Sequence, residues 1–203
     1  MVRSDNDPSN TVFLLLGSNI EPETNLPAAV KLLDQMTNLV AISSVWETKP
    51  VGLLEQPNFL NAAVLVTTPL EPILFKRTIL NNIERKLKRI RRANKNAPRT
   101  IDLDIALFNR QVIKLGNSWI PDPDIFERPF VAIPLAELAP TYIHPLTGET
   151  LQKIADGFQI TDEEMRLQPE LTQALKRCIA AKEIITVAGM PGRDQPHTTG
   201  ELL

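Results

Sequence analysis

The sequence predicts an α+β fold: a ferredoxin-like βαββαβ sandwich with a C-terminal extension, first helical and then disordered. Three observations lead there. Short apolar runs and helical stretches alternate as strand, helix, strand, strand, helix, strand, the split βαβ order. Both helical stretches are strongly periodic. The chain has 203 residues, 43% apolar and 23% charged, enough to bury one core without disulfides or structural metal.

Residues 1–10 are polar and predict a flexible arm. Thr11 to Leu16 is an apolar run stopped by Gly17, which suits a buried strand. Leu26, Ala29, Val30 and Leu33 share one helical face, and Pro22 and Pro27 are confined to the opening turns. Leu39 to Trp46 predicts the second strand, Thr48 to Pro57 a loop, and Phe59 to Val66 the third strand. Pro69 and Pro72 open a long second helix whose apolar face is Phe75, Ile79, Ile83, Leu87 and Ile90. Asp102 to Phe108 is the fourth strand. Phe130 to Leu138 predicts a short helix, and Pro145 to Gly148 a turn. The core domain is thus expected over residues 11–156 and the extension over 157–203. In the extension, Thr161 to Glu164 resembles a capping box, and Leu171 to Ile185 a helix. Residues 189–203 have few large apolar side chains and are expected to be disordered.

Several classes are excluded. One cysteine, Cys178, leaves no disulfide framework and no cysteine-based zinc site, and it reads as a helix-face core residue. No apolar run approaches the ~18 residues of a membrane span, and Met1 to Pro8 carries no signal-peptide core. The expected compartment is the cytoplasm, with no membrane partner. The net charge of −2 implies no polyanionic partner, but it hides an asymmetry. Between Lys76 and Arg99 ten basic residues stand against one acid, Glu84. Such a block attracts phosphates.

Asp102 and Asp104 are the sharpest chemical signal. At i and i+2 on a strand their carboxylates project from one face, with Leu103 and Ile105 on the other. Paired acids repel unless a cation lies near them, and Mg²⁺ binds through carboxylates plus substrate phosphates. Arg99 stands at the entrance of the same strand. Acids for metal beside arginines for phosphate oxygens suit phosphoryl transfer. On the long helix Asn81 and Glu84 are spaced i, i+3, as are Arg89 and Arg92. Asn94 to Ala97 predicts a mobile loop able to close over a substrate. Phe59 and Asn61 share a strand face, an aromatic and an amide suited to a flat heterocycle. Gly17-Ser18-Asn19 reads as a tight turn, and His144 as a structural residue before Pro145; His197 falls in the tail. A basic helix beside a ferredoxin-like sheet also fits an RNA-binding module, but aromatics are only 5% and stacking positions are lacking, so no nucleic acid is expected.

Four segments in order, Phe13–Asn19 (FLLLGSN), Ser43–Ala63, Pro98–Asp104 (PRTIDLD) and Arg128–Pro140, closely resemble the 6-hydroxymethyl-7,8-dihydropterin pyrophosphokinase family over about residues 11–152. The resemblance implies a transferase that moves pyrophosphate from ATP to the pterin hydroxymethyl group and releases AMP. It implies two Mg²⁺ ions at Asp102 and Asp104, and the pterin against Thr48, Val51, Gly52, Phe59, Asn61 and Phe130. It aligns Asn81, Glu84, Arg91, Arg99, Ile105 and Arg128 with nucleotide contacts, and Arg89 and Arg99 with catalytic arginines. The chain departs from the family pattern at Asn96, Asn117, Trp119, Asp122 and Pro123, on the side of the mobile loop and the nucleotide.

Overall fold

The computed structural model describes residues 9–91, 93–94 and 96–177. The arm over residues 1–8, Arg92, Lys95, Cys178, His197 and the tail beyond 178 lie outside the described residues.

Nearly uninterrupted apolar side chains bury β1 (Asn10–Ser18) at the centre of an antiparallel sheet. It pairs with β4 (Phe59–Thr68) on one side and β5 (Asp102–Phe108) on the other. The outer edge of β4 carries β2 (Asn38–Ile42) and β3 (Trp46–Thr48). The strand expected from Leu39 to Trp46 is therefore broken in two. Ser43 breaks it: its hydroxyl accepts the Ala63 N–H at 2.8 Å, where a backbone carbonyl would otherwise serve.

Helices cover both faces of the sheet. On one face α1 (Pro22–Met36) joins α2 (Pro72–Phe75), a π turn (Lys76–Leu80) and α3 (Asn81–Lys86). Leu14, Leu16, Val64, Leu26, Leu33, Phe75 and Ile83 form the core there. On the other face Phe13, Ala63 and Leu107 meet α4 (Pro129–Leu138) and α5 (Leu151–Ala155) through Val131, Leu135 and Leu151. A hairpin of β6 (Ile113–Leu115) and β7 (Ser118–Ile120), turning at Gly116 with φ +65°, forms a separate small sheet that the sequence reading missed.

Three expectations are corrected. The second helix does not reach Ile90: Lys88 takes a left-handed φ of +58°, α3 ends at Lys86, and Ile90 is 70% exposed. Arg89 consequently stands beyond the helix rather than on its face. The Thr161–Glu164 box does form, with Thr161 N–H and hydroxyl both donating to Glu164 Oε2, but it leads into a strand, β8 (Met165–Leu167), that extends the main sheet beside β3. A helix over residues 169–177 follows β8. Asn10, assigned to the arm, is the first residue of β1.

Candidate active site

The second face of the sheet is left bare at the C-terminal end of β1, and a cleft of about 380 Å³ opens there. A row across the strands forms its floor, since Gly17 pairs with Asp102 on one side and with Asn61 on the other. With neighbouring strands ~4.8 Å apart, acid and amide stand roughly 10 Å from each other. Gly17 keeps the space between them open. A Cβ there would lie 3.2 Å from Asn61 Oδ1 and 3.9 Å from the Phe59 ring.

At the amide end, Asn61 is 9% exposed and donates from Nδ2 to Thr48 Oγ1 at 2.8 Å. That bond orients the amide and turns Oδ1 toward the Gly17 gap. Phe59, Val51 and Phe130 line the cleft around it. Gly52 does not line it; with φ +85° it passes so close to Asn96 that a Cβ would sit 2.2 Å from Nδ2. Only glycine lets the loop over residues 49–58 approach Asn96, which does line the cleft.

At the acid end, Asp102 and Asp104 share a face as expected. A bulge between Ile105 and Leu107 reverses the parity further along β5. Asp102 accepts from both Arg89 and Arg99. Burial alone would raise its pKa, but the two guanidinium groups outweigh it and hold the carboxylate below its usual range. Asp104 has only Lys76, at 3.8 Å, supplied by the first residue of the π turn. Burial and the charge of Asp102 push Asp104 up to about 7. Its side chain is 46% open, so water reaches it from the cleft side while protein surrounds the rest.

Glu84, 5% exposed, anchors the arginines. Its Oε1 accepts from Arg89 Nη1 at 2.5 Å and from the Leu103 N–H at 3.2 Å, while Oε2 accepts from Arg91 Nη2 at 2.7 Å. Arg99 also lies over Phe59, its guanidinium carbon 5.5 Å from the ring centroid, so the arginine end touches the aromatic end. Arg128 lines the cleft from the N-cap of α4. Asn81, Arg91 and Ile105 are not among the lining residues. Asn81 is exposed despite standing one turn from the buried Glu84, and Ile105 packs in the opposite core.

Sequence reasoning missed Asn19, Lys76 and Asp122. Asn19, 2% exposed, is more than a turn residue: Nδ2 donates to Gln56 Oε1 at 2.9 Å, and Oδ1 accepts the Arg99 N–H at 2.8 Å. It ties the amide-end loop to the arginine strand. Asp122 lines the cleft, and burial raises its pKa. Only the excess of basic residues could have pointed to Lys76, and nothing in the spacing marked Asn19.

The donor set fits Mg²⁺. Two hard carboxylates on one face, one pushed upward in pKa by its neighbour, accommodate a divalent cation that takes its remaining ligands from phosphates and water. Among the described residues no cluster of three or more metal-binding side chains exists that would form an all-protein cage.

Comparison with known proteins decides the family. The model of 7,8-dihydro-6-hydroxymethylpterin-pyrophosphokinase (HPPK) matches residues 13–140, more than half of the chain. The chain belongs to the HPPK family. The 2-amino-4-hydroxy-6-hydroxymethyldihydropteridine pyrophosphokinase of Bacillus subtilis is 43% identical over 133 residues, covering 64% of this chain and 78% of that one. The Haemophilus influenzae enzyme of the same name is 35% identical over 156 residues, 74% of this chain and 96% of that one. The folic acid synthesis protein FOL1 of Dictyostelium discoideum is 35% identical over 153 residues; the match covers 74% of this chain but only 23% of that protein. In fold the HPPK chain resembles wild-type Plasmodium falciparum HPPK-DHPS crystallised with pteroate, with a TM-score of 0.59 at 16% identity, over 76% of this chain and 43% of that one.

Proposed function

We infer that this chain is an ATP-dependent pyrophosphokinase of folate biosynthesis. It transfers pyrophosphate from ATP to the hydroxymethyl group of 6-hydroxymethyl-7,8-dihydropterin and releases AMP. The observation that carries the reading is the cleft itself: one space with an amide and aromatics at one end and two same-face carboxylates with arginines at the other, separated only by Gly17. The strand order β5-β1-β4-β3 supports assigning the core to the ferredoxin-like sandwich.

The residues divide the work. Phe59 and Phe130 hold the faces of the heterocycle, while Asn61 and Thr48 supply polar contacts to its edge; Val51 and Gly52 shape the loop beside it. Asp102 and Asp104 hold two Mg²⁺ ions, which when bound neutralise triphosphate charge and polarise the transferred group. Arg89 and Arg99 turn from Asp102 to the phosphate oxygens and stabilise the charge that builds up there. Glu84 keeps Arg89 and Arg91 in reach, and Arg128 approaches from α4. Asn81 and Ile105 stand outside the cleft and would reach the nucleotide only at its margin. Closing the loop over residues 93–97 on Gly52 and Gln56 excludes water from the reacting group.

The test is a mixture of ATP, Mg²⁺ and the reduced pterin, with nucleotide products separated. AMP that forms only when pterin is present supports the assignment. ADP, or AMP formed without pterin, refutes it.

A further inference from the structure

β3 is three residues long, yet it ends on Thr48, the hydroxyl that orients Asn61. So short a strand is held by its neighbours. β4 lies on one side, with Thr48 opposite Phe59. β8 lies on the other, with Thr48 opposite Met165, Glu47 opposite Arg166 and Trp46 opposite Leu167. β8 lies beyond residue 140, where the family match ends. Its side chains tighten the pairing. Glu47 Oε2 accepts from Arg166 Nη2 at 2.6 Å and Gln168 Nε2 at 2.7 Å, while Oε1 accepts from Asn58 at 2.9 Å. The Gln168 N–H donates to the Val45 carbonyl at 2.8 Å, and the Val45 N–H donates to Thr172 Oγ1 at 2.8 Å in a buried bond. Met165 and Leu175, 2% and 1% exposed, anchor the segment in the core.

We propose that the segment from Met165 to Thr172 is a positioning strap for the pterin end of the cleft, fixing β3 and thereby the Thr48 hydroxyl that aims the Asn61 amide. The proposal rests on the reading that seats the heterocycle at Asn61. A sheet edge needs covering in any case, but covering alone would not single out one substrate. The strap touches neither Asp102, Asp104 nor the arginines. Loosening it therefore affects pterin and spares the triphosphate end.

Two variants leave Met165 and Leu175 in place: Arg166→Ala with Gln168→Ala, and Thr172→Val. Arg166→Ala alone, at a side chain 64% exposed, is a milder third. Dissociation constants for reduced hydroxymethylpterin and for ATP with Mg²⁺ are measured on the full chain, together with kcat and amide exchange at Trp46 to Thr48. The strap predicts pterin binding weakened roughly three- to tenfold in the first two variants. ATP binding and kcat at saturation stay within about twofold, and exchange quickens at β3 but not at β1. Unchanged pterin affinity in both variants overturns the proposal, as does equal loss for ATP and pterin. Asn61→Ala is measured alongside. If it weakens pterin binding while the strap variants do not, only the strap falls. If it leaves pterin binding unchanged, the seat at Asn61 falls, and the proposed route through Thr48 falls with it.

Discussion

Arg99 donates to the carboxylate of Asp102, so an arginine assigned to the triphosphate and an acid assigned to metal hold one another while neither ligand is bound. Arg89 does the same from the other side. Each group is thereby kept partly neutralised in a half-buried site. Binding of the metal–triphosphate complex exchanges these pairs: carboxylate to metal, guanidinium to phosphate.

Removing either acid tests that exchange. Asp102→Ala and Asp104→Ala should each lower turnover by roughly 10²-fold or more, since triphosphate charge is left unneutralised. The fold should persist, because both side chains face the cleft rather than the core. Turnover at limiting Mg²⁺ and thermal melting are the measurements; near wild-type turnover in either variant would remove the metal assignment.

Arg99 should act on the rate more than on binding. Its side chain already sits against both Asp102 and Phe59, between the two ends of the cleft. Arg99→Ala is expected to slow single-turnover transfer roughly 10²–10³-fold, the scale of a lost transition-state contact. The Kd for ATP should rise far less. A variant that reacts at the wild-type rate once saturated would reduce Arg99 to a binding residue.

Asn61→Ala should separate the two substrates. The amide is nearly buried, and a pterin edge group left without its partner costs about 1–3 kcal/mol. Calorimetric titration should show weaker pterin binding and unchanged ATP binding. Equal losses for both ligands would contradict the placement.

His144 gives a pH signature outside the site. It is 1% exposed, packs edge-on against Phe126 at 4.8 Å, and neither ring nitrogen has a hydrogen-bond partner among the described residues. Burial lowers its pKa below the usual 6.5, against an opposing pull from Glu149. The unfolded chain therefore binds the proton more readily than the folded one. The stability from this site is complete above about pH 6.5 and falls as pH drops through the folded value. Melting curves of wild type and His144→Phe between about pH 5 and pH 8 should differ in slope below ~6.5. Parallel curves would show that His144 does not titrate on unfolding.

Much of the fold was legible because its elements are strongly patterned. The apolar run of β1, the face of α1 and the i, i+2 acids of β5 follow directly from strand and helix geometry. The failures are places where one local bond overrides a pattern. Ser43 replaces a ladder acceptor and breaks a strand. Lys88 turns left-handed and ends a helix whose periodicity runs on to Ile90. The Thr161 box forms its bonds and still opens onto a strand, because β3 offers an unpaired edge. Within the site, the residue types for phosphate, metal and heterocycle could be read from the chain. The ties among them could not, since Asn19 meets Arg99 and Gln56, and Glu84 meets Leu103, only after the sheet has formed.

The account stands on one cleft passing a two-phosphate unit from nucleotide to pterin. ATP labelled separately at the β- and γ-phosphorus tests this most directly. Supplied with Mg²⁺ and reduced hydroxymethylpterin, the protein should place both labels in the pterin product and leave unlabelled AMP. Transfer of the γ-label alone, with the β-label retained in ADP, would contradict it.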